Sequence, residues 1–175
     1  APVYPPGNQQ TQYWGKLYGN SLALALVETA KKAQQPVVVI TGSPAEAHLL
    51  ESAIDFFAPA DVPLLHFPDW ETLSYDIFSP HQDIISERLA TLSRLPNLKR
   101  GVLVVPITTL LYRLAPNSFL EGNCFQIDTG QQLDLEATRS RLNAAGYRCV
   151  SQVIEHGEFA VRGAIIDLFP MGHNH

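Results

Sequence analysis

Cysteine is scarce. Only Cys124 and Cys149 occur, with neither a metal-ligand spacing nor a disulfide framework, so both are expected as free, buried thiols. Long apolar runs are missing too: no stretch reaches the ~18 residues of a membrane span, and the opening APVYPPGNQQ lacks the basic-then-apolar pattern of a secretory leader. The expectation is a cytoplasmic protein with no membrane partner. Positive charge is also short. Twelve Lys and Arg stand against 17 Asp and Glu, a net charge of −5, which argues against a surface built to neutralise nucleic-acid phosphates. Any such affinity would need a local patch.

What is present is the profile of an ordinary globular chain, with 46% hydrophobic and 17% charged residues over 175 positions. That length suits one good-sized domain, or one with a small appendage. Residues 1–12 are rich in Pro, Gly and Gln and read as an extended lead-in. From Asn20 to Lys32 the apolar spacing predicts a largely buried helix ending on two lysines, which suit a helix C-terminus. PVVVIT (Pro36–Thr41) reads as a fully buried strand. Ser43 or Thr41 can cap a helix over Pro44–Phe57 whose buried face would carry Leu49, Leu50, Ile54 and Phe57. PLLHF (Pro63–Phe67) and GVLVVPI (Gly101–Ile107) read as further strands. Between them lies a helix over His81–Leu95 with Ile84, Ile85, Leu89 and Leu92 on its apolar face, and a short helix over Thr108–Ala115 follows. Strands alternating with helices imply a parallel sheet with crossover connections.

Composition changes at Pro116. Turn signals lead to a helix over Glu136–Ala145 and two strand-like runs, CVSQVI and AVRGAIIDLF, around a Glu-His-Gly-Glu turn. The expected organisation is therefore a lead-in over 1–12, an α/β domain over 13–115 and a smaller α+β domain over 116–172, with 173–175 as a tag remnant. A metal site from His173 and His175 is not expected.

The chemistry legible in the residues is thin. A phosphate loop needs glycines that let backbone N–H groups close on phosphate, a lysine for the β/γ oxygens and a hydroxyl for Mg²⁺. Before the first helix the chain offers only Gly19, Asn20 and Ser21 with no lysine after them, and Lys16 lies on the wrong side of the turn. Thr41-Gly42-Ser43-Pro44 reads as a strand-to-helix turn with a cap. Ser79, His81 and Asp83 are too close in sequence to build a nucleophile relay. Asp83 and Glu87 share a helix face and read as solvated or capping groups. His66 reads as a packed core histidine, and Trp70 as a side chain packed at a sheet edge rather than an exposed anchor. No catalytic residue, metal or cofactor is expected.

Two long segments carry more. Trp70–Arg88, WETLSYDIFSPHQDIISER, and Glu155–Pro170, EHGEFAVRGAIIDLFP, together with RGVLVVP, resemble the amino-terminal, UvrB-homology module of the bacterial transcription-repair coupling factors, the Mfd family. The resemblance runs from about residue 13 to residue 172. It implies a degenerate RecA-like parallel sheet with flanking helices followed by a smaller α+β domain, similar to UvrB domains 1a and 2. In UvrB the phosphate loop keeps its lysine and threonine, and a long aromatic hairpin handles damaged DNA. This chain has neither, because Asp69–Pro80 is too short for the hairpin.

What the resemblance implies about function is recruitment of UvrA by the small domain, which this chain is expected to hold in truncated form. In UvrB the contact is made by arginines around its FRVRG stretch. Arg162 matches the second of these, Ala160 stands where the first would be, and Cys149 stands at a third position with Arg148 beside it. Phe159, His156 and Glu158 are their neighbours. A guanidinium presents a planar fork of donors and is frequent at interface hot spots. Internal pairing of Arg148 and Arg162 with Glu155, Glu158 or Asp167 is the alternative the residues leave open. In the full-length family member an ATP-dependent DNA translocase displaces stalled RNA polymerase, and its polymerase and double-stranded DNA contacts lie in other segments. A nucleotide-binding helicase-like domain and a UvrB-like DNA-binding domain are the other readings.

Overall fold

The computed structural model describes residues 11, 13–72, 77, 79–114, 116 and 129–172. The chain divides into two compact units that are discontinuous in sequence. One comprises Ala1–Asp69 with Arg94–Tyr112, the other Trp70–Ser93 with Arg113–His175.

The first unit holds α1 (Ser21–Lys32), β1 (Val37–Thr41), α2 (Pro44–Phe57), β2 (Leu64–His66), β3 (Val102–Pro106) and the short α4 (Ile107–Leu110). Its three strands are parallel in the order β1-β3-β2, with Val37 and Leu64 both in register with Val102. A parallel pair needs a crossover; α2 supplies the one between β1 and β2. Paired residues share a sheet face, so Val37, Val39, Val102 and Val104 point together. Ala23, Val27 and Ala30 of α1 and Ala47 and Ile54 of α2 pack there. The expected α/β class with a parallel sheet is what forms.

α2 starts where the sequence placed it. Ser43 Oγ accepts the Glu46 N–H at 3.2 Å, and the Glu46 carboxylate in turn takes the Gly42 N–H at 2.9 Å, a two-way cap with Pro44 in the first turn. Gly101, immediately before β3, lies against Pro63, immediately before β2. A Cβ there would lie 2.5 Å from the Pro63 carbonyl oxygen, and its φ of +142° also favours glycine.

Several expectations need correction. β1 is not buried on both sides: Val38 and Ile40 are 55% and 57% exposed, because α1 and α2 pack only on the alternate residues of this edge strand. Leu22 and Leu24 of α1 are likewise exposed, and Leu49 of α2 is 74% exposed, since Ala47, Glu51 and Ile54 form the buried face instead. His66 is not a core histidine. It is half-buried and its Nδ1 is hydrogen-bonded to the Glu51 carboxylate. The helix expected over Thr108–Ala115 is the single turn of α4.

The second unit contains most of α3 (Gln82–Arg94), together with α5 (Leu135–Ala144), β4 (Arg148–Cys149), β5 (Glu158–Arg162) and β6 (Ile165–Phe169). Asp134 caps α5 through Oδ1, which takes the N–H groups of Glu136 and Ala137 at 3.0 Å. The sheet order is β4-β5-β6, parallel then antiparallel. CVSQVI contributes only Cys149 to the two-residue β4, and AVRGAIIDLF is not one strand but part of a hairpin. Gly163 at φ +60° opens its two-residue turn, so Arg162 pairs with Ile165. The most buried residues of α3 are Ser86, Arg88, Ala90 and Thr91, not Ile84, Ile85, Leu89 and Leu92. Arg88 lies with its guanidinium carbon 4.0 Å above the half-buried Trp70 ring, a cation–π arrangement. Cys149 is free and exposed, against the expectation of a buried thiol, and Cys124 lies outside the described residues.

Candidate partner-binding surface

Strand pairing gathers the two arginines. Arg148 is directly opposite Glu158 and Ala160 is opposite Asp167. Because side chains alternate along a strand, Glu158, Ala160 and Arg162 point one way, and Arg148 and Asp167 point with them. Arg162 lies four residues beyond Glu158, about 13 Å of strand. Both guanidinium side chains are 60% exposed.

Each arginine is also paired internally. Arg148 Nη2 lies 3.0 Å from Glu155 Oε2 and 3.1 Å from Glu158 Oε1, and Arg162 Nη2 lies 3.2 Å from Asp167 Oδ2. The internal-pairing alternative therefore describes the geometry, while the exposure leaves both groups within reach of a partner. Arg162 and Asp167 also border a shallow depression of about 560 Å³ with Gln152, Val153 and Phe169.

The other three residues singled out beside the arginines are buried. Phe159 has no exposed surface and is the largest fully buried side chain among the described residues. Glu158 takes the N–H groups of Ile154 and Glu155 on Oε2, both at 2.9 Å, and these bonds hold its carboxyl below the usual carboxylate range, with Arg148 adding to the effect. His156 Nδ1 lies 2.9 Å from the Pro170 carbonyl oxygen and 3.3 Å from Ser86 Oγ, and its ring packs on Phe169 at 4.1 Å. Their places in the fold shape the surface rather than form it.

Sequence reasoning missed the tail clamp, since Ser86 and His156 are 70 positions apart. Ser86 Oγ also accepts the Gly172 N–H at 2.8 Å, and Tyr147 Oη accepts that of Met171 at 3.0 Å. Asp83 lies 3.9 Å from His156 Nε2, which places a serine, a histidine and an aspartate in one cluster. It cannot act as a relay. The Pro170 carbonyl oxygen has no proton to give, so Nδ1 must carry the proton of that hydrogen bond and cannot accept one from the buried Ser86. Ser79, His81 and Asp83 build nothing either: His81 Nδ1 contacts Asp83 Oδ2 at 3.2 Å, a local pairing where α3 begins.

Gly19 and Asn20, but not Ser21, border a groove of about 400 Å³ beside the carboxyl end of β1. Leu22, Ile40, Leu49 and Leu50 make it apolar, and its one charged lining residue is Glu46. Ser21 Oγ donates to the Tyr18 carbonyl at 2.7 Å, so the hydroxyl is engaged locally. A carboxylate and no cation is the opposite of what polyphosphate requires. Among the described residues no cluster of three or more His, Cys, Asp or Glu could hold a metal, and no helix is long and apolar enough to cross a membrane. His173 and His175 lie outside the described residues.

The described residues form an α/β unit and a small mixed sheet that displays two arginines on one face, and residues 125–175 match the UvrB interaction domain. The chain is 49% identical over 158 residues to the transcription-repair-coupling factor of Escherichia coli (strain K12) and 48% identical over 161 residues to that of Haemophilus influenzae, 90% of this chain in each case. The Staphylococcus aureus (strain USA300) coupling factor is 28% identical over 146 residues. The chain is thus similar over most of its length to the transcription-repair-coupling factors, and it spans about one-seventh (14%) of the length of the first two.

Proposed function

We propose that this chain is the UvrA-recruiting module of a transcription-repair coupling factor, acting in the cytoplasm in transcription-coupled nucleotide excision repair. The observation that carries the reading is the pair of exposed arginines, Arg148 and Arg162, on one face of the sheet within the segment that matches the UvrB interaction domain. Two planar cations fixed on a sheet suit an acidic protein surface. The smaller unit is assigned the contact, and Phe159, His156 and Glu158 hold its shape.

The module has no catalysis of its own in this reading. The apolar, carboxylate-bearing groove beside Gly19 and Asn20 supports that, since it offers phosphate no cation. ATP-driven translocation on double-stranded DNA and displacement of stalled RNA polymerase belong to the remainder of the full-length protein. Calorimetric titration of the chain with purified UvrA tests the proposal, and absence of binding by the folded chain overturns it.

A further inference from the structure

Arg148 has two carboxylate neighbours of different character. Glu158 is nearly buried, its side chain 10% exposed, and both its oxygens are in use: Oε2 takes two backbone N–H groups and Oε1 faces Arg148. Glu155 lies across the same turn with its side chain 60% exposed; its own N–H is tied to Glu158, and its carboxylate reaches Arg148 at 3.0 Å. One carboxylate is anchored by the backbone, while the other is held by Arg148 alone among the described residues and is largely exposed to solvent.

We infer that the two glutamates divide the work on Arg148: Glu158 is the fixed positioning residue that aims the guanidinium, and Glu155 is an internal counter-ion that an acidic partner side chain displaces. This rests on the recruitment reading above. Physically, binding is then an exchange of carboxylates. The guanidinium stays compensated in the free protein, and the partner gains only the difference between its own carboxylate and that of Glu155. An exposed ion pair contributes little, so the exchange is cheap; a backbone-anchored one does not let go.

The two glutamates therefore have opposite signs. Neutralising Glu155 removes the competitor and tightens binding, whereas neutralising Glu158 loosens both the turn and the arginine and weakens it. A residue that merely supported the fold could not tighten binding when altered.

The test is calorimetric titration of UvrA with the wild-type chain and with Glu155→Gln, Glu158→Gln and Glu28→Gln, each checked for folding by circular dichroism. Glu28 lies in the other unit and makes the same charge change, so that variant should bind as wild type. Glu155→Gln should bind about two- to five-fold tighter, the range set by an exposed ion pair, and the gain should vanish when Arg148→Ala is also present. Unchanged or weaker binding by folded Glu155→Gln overturns the inference, as does a gain that survives Arg148→Ala or is matched by Glu28→Gln. If Glu158→Gln fails to fold, the Glu155 arm and its cycle with Arg148 decide alone. No binding by wild type overturns the recruitment reading itself, a result distinct from normal binding that Glu155→Gln leaves unmoved.

Discussion

Ser86 on α3 accepts a 2.8 Å hydrogen bond from the backbone N–H of Gly172, 86 residues further on. Through it and His156, a helix that precedes β3 in sequence is fastened to the end of the β5–β6 hairpin. Ser86 is buried, so Ser86→Ala leaves the N–H of the half-buried Gly172 without its acceptor. The expected cost is about 1–3 kcal/mol of unfolding free energy, read from the denaturant midpoint; an unchanged midpoint would show that the clamp contributes nothing.

Phe159 carries the core of the second unit. Phe159→Ala should destabilise by about 3–5 kcal/mol, enough to unfold much of a marginal unit. A variant that melts like wild type would mean that the cavity collapses at no cost.

On the surface, Arg162→Ala should retain the fold and lose more than about 2 kcal/mol of UvrA affinity, the scale of an interface hot spot. Its partner Asp167 is 46% exposed, so losing the internal ion pair costs the fold little. Arg148→Ala should weaken binding as well. Calorimetry beside circular dichroism separates lost contact from lost fold, and full affinity in both variants would move the contact elsewhere.

The pH dependence has a defined sign. Glu158 has its pKa lowered in the folded state by the N–H groups of Glu155 and Ile154. A depressed folded pKa gives stability that is present above the ordinary glutamate value and lost as pH falls through the folded one. The stability gap between wild type and Glu158→Gln should therefore be widest above about pH 5 and shrink below about pH 4. A gap that does not change with pH would show that the charge of Glu158 is not what holds the turn.

Adding Mg-ATP should leave the melting temperature of the chain unmoved, because the groove beside Gly19 and Asn20 presents Glu46 and no cation. A specific binder at 100 times its Kd would add about 2.7 kcal/mol and shift the melt by several degrees. Such a shift, abolished by substitution at Ser21, would restore the nucleotide-binding reading.

How far the sequence could be read depended on the range of the interactions involved. A cap at Ser43 or Thr41, the continuous apolar run of β3 and the break at Gly101 are local and legible in residue order, while the choice of Ser43 and the return bond from Glu46 came from the structure. The burial of β1 was not, since VVVIT fits a central strand as well as an edge strand; only the order β1-β3-β2 leaves Val38 and Ile40 uncovered. The hairpin in AVRGAIIDLF was missed because one glycine at positive φ, not a composition shift, turns the chain. For the candidate surface, residue types pointed to Arg148 and Arg162, but residue types could not say whether these were exposed, paired or both.

The sequence by itself determined the α/β class, the positions of most helices and strands and the absence of a phosphate-binding lysine, because these follow from periodicity, capping chemistry and residue identity within a few positions. Only the tertiary structure decided that Arg148 and Arg162 share a face, that Glu158 is anchored by the backbone while Glu155 is exposed, and that α3 closes on the hairpin. Those relationships join residues separated by 3 to 86 positions. They depend on strand register and on which backbone groups are left to bond, quantities that exist only once the chain has folded.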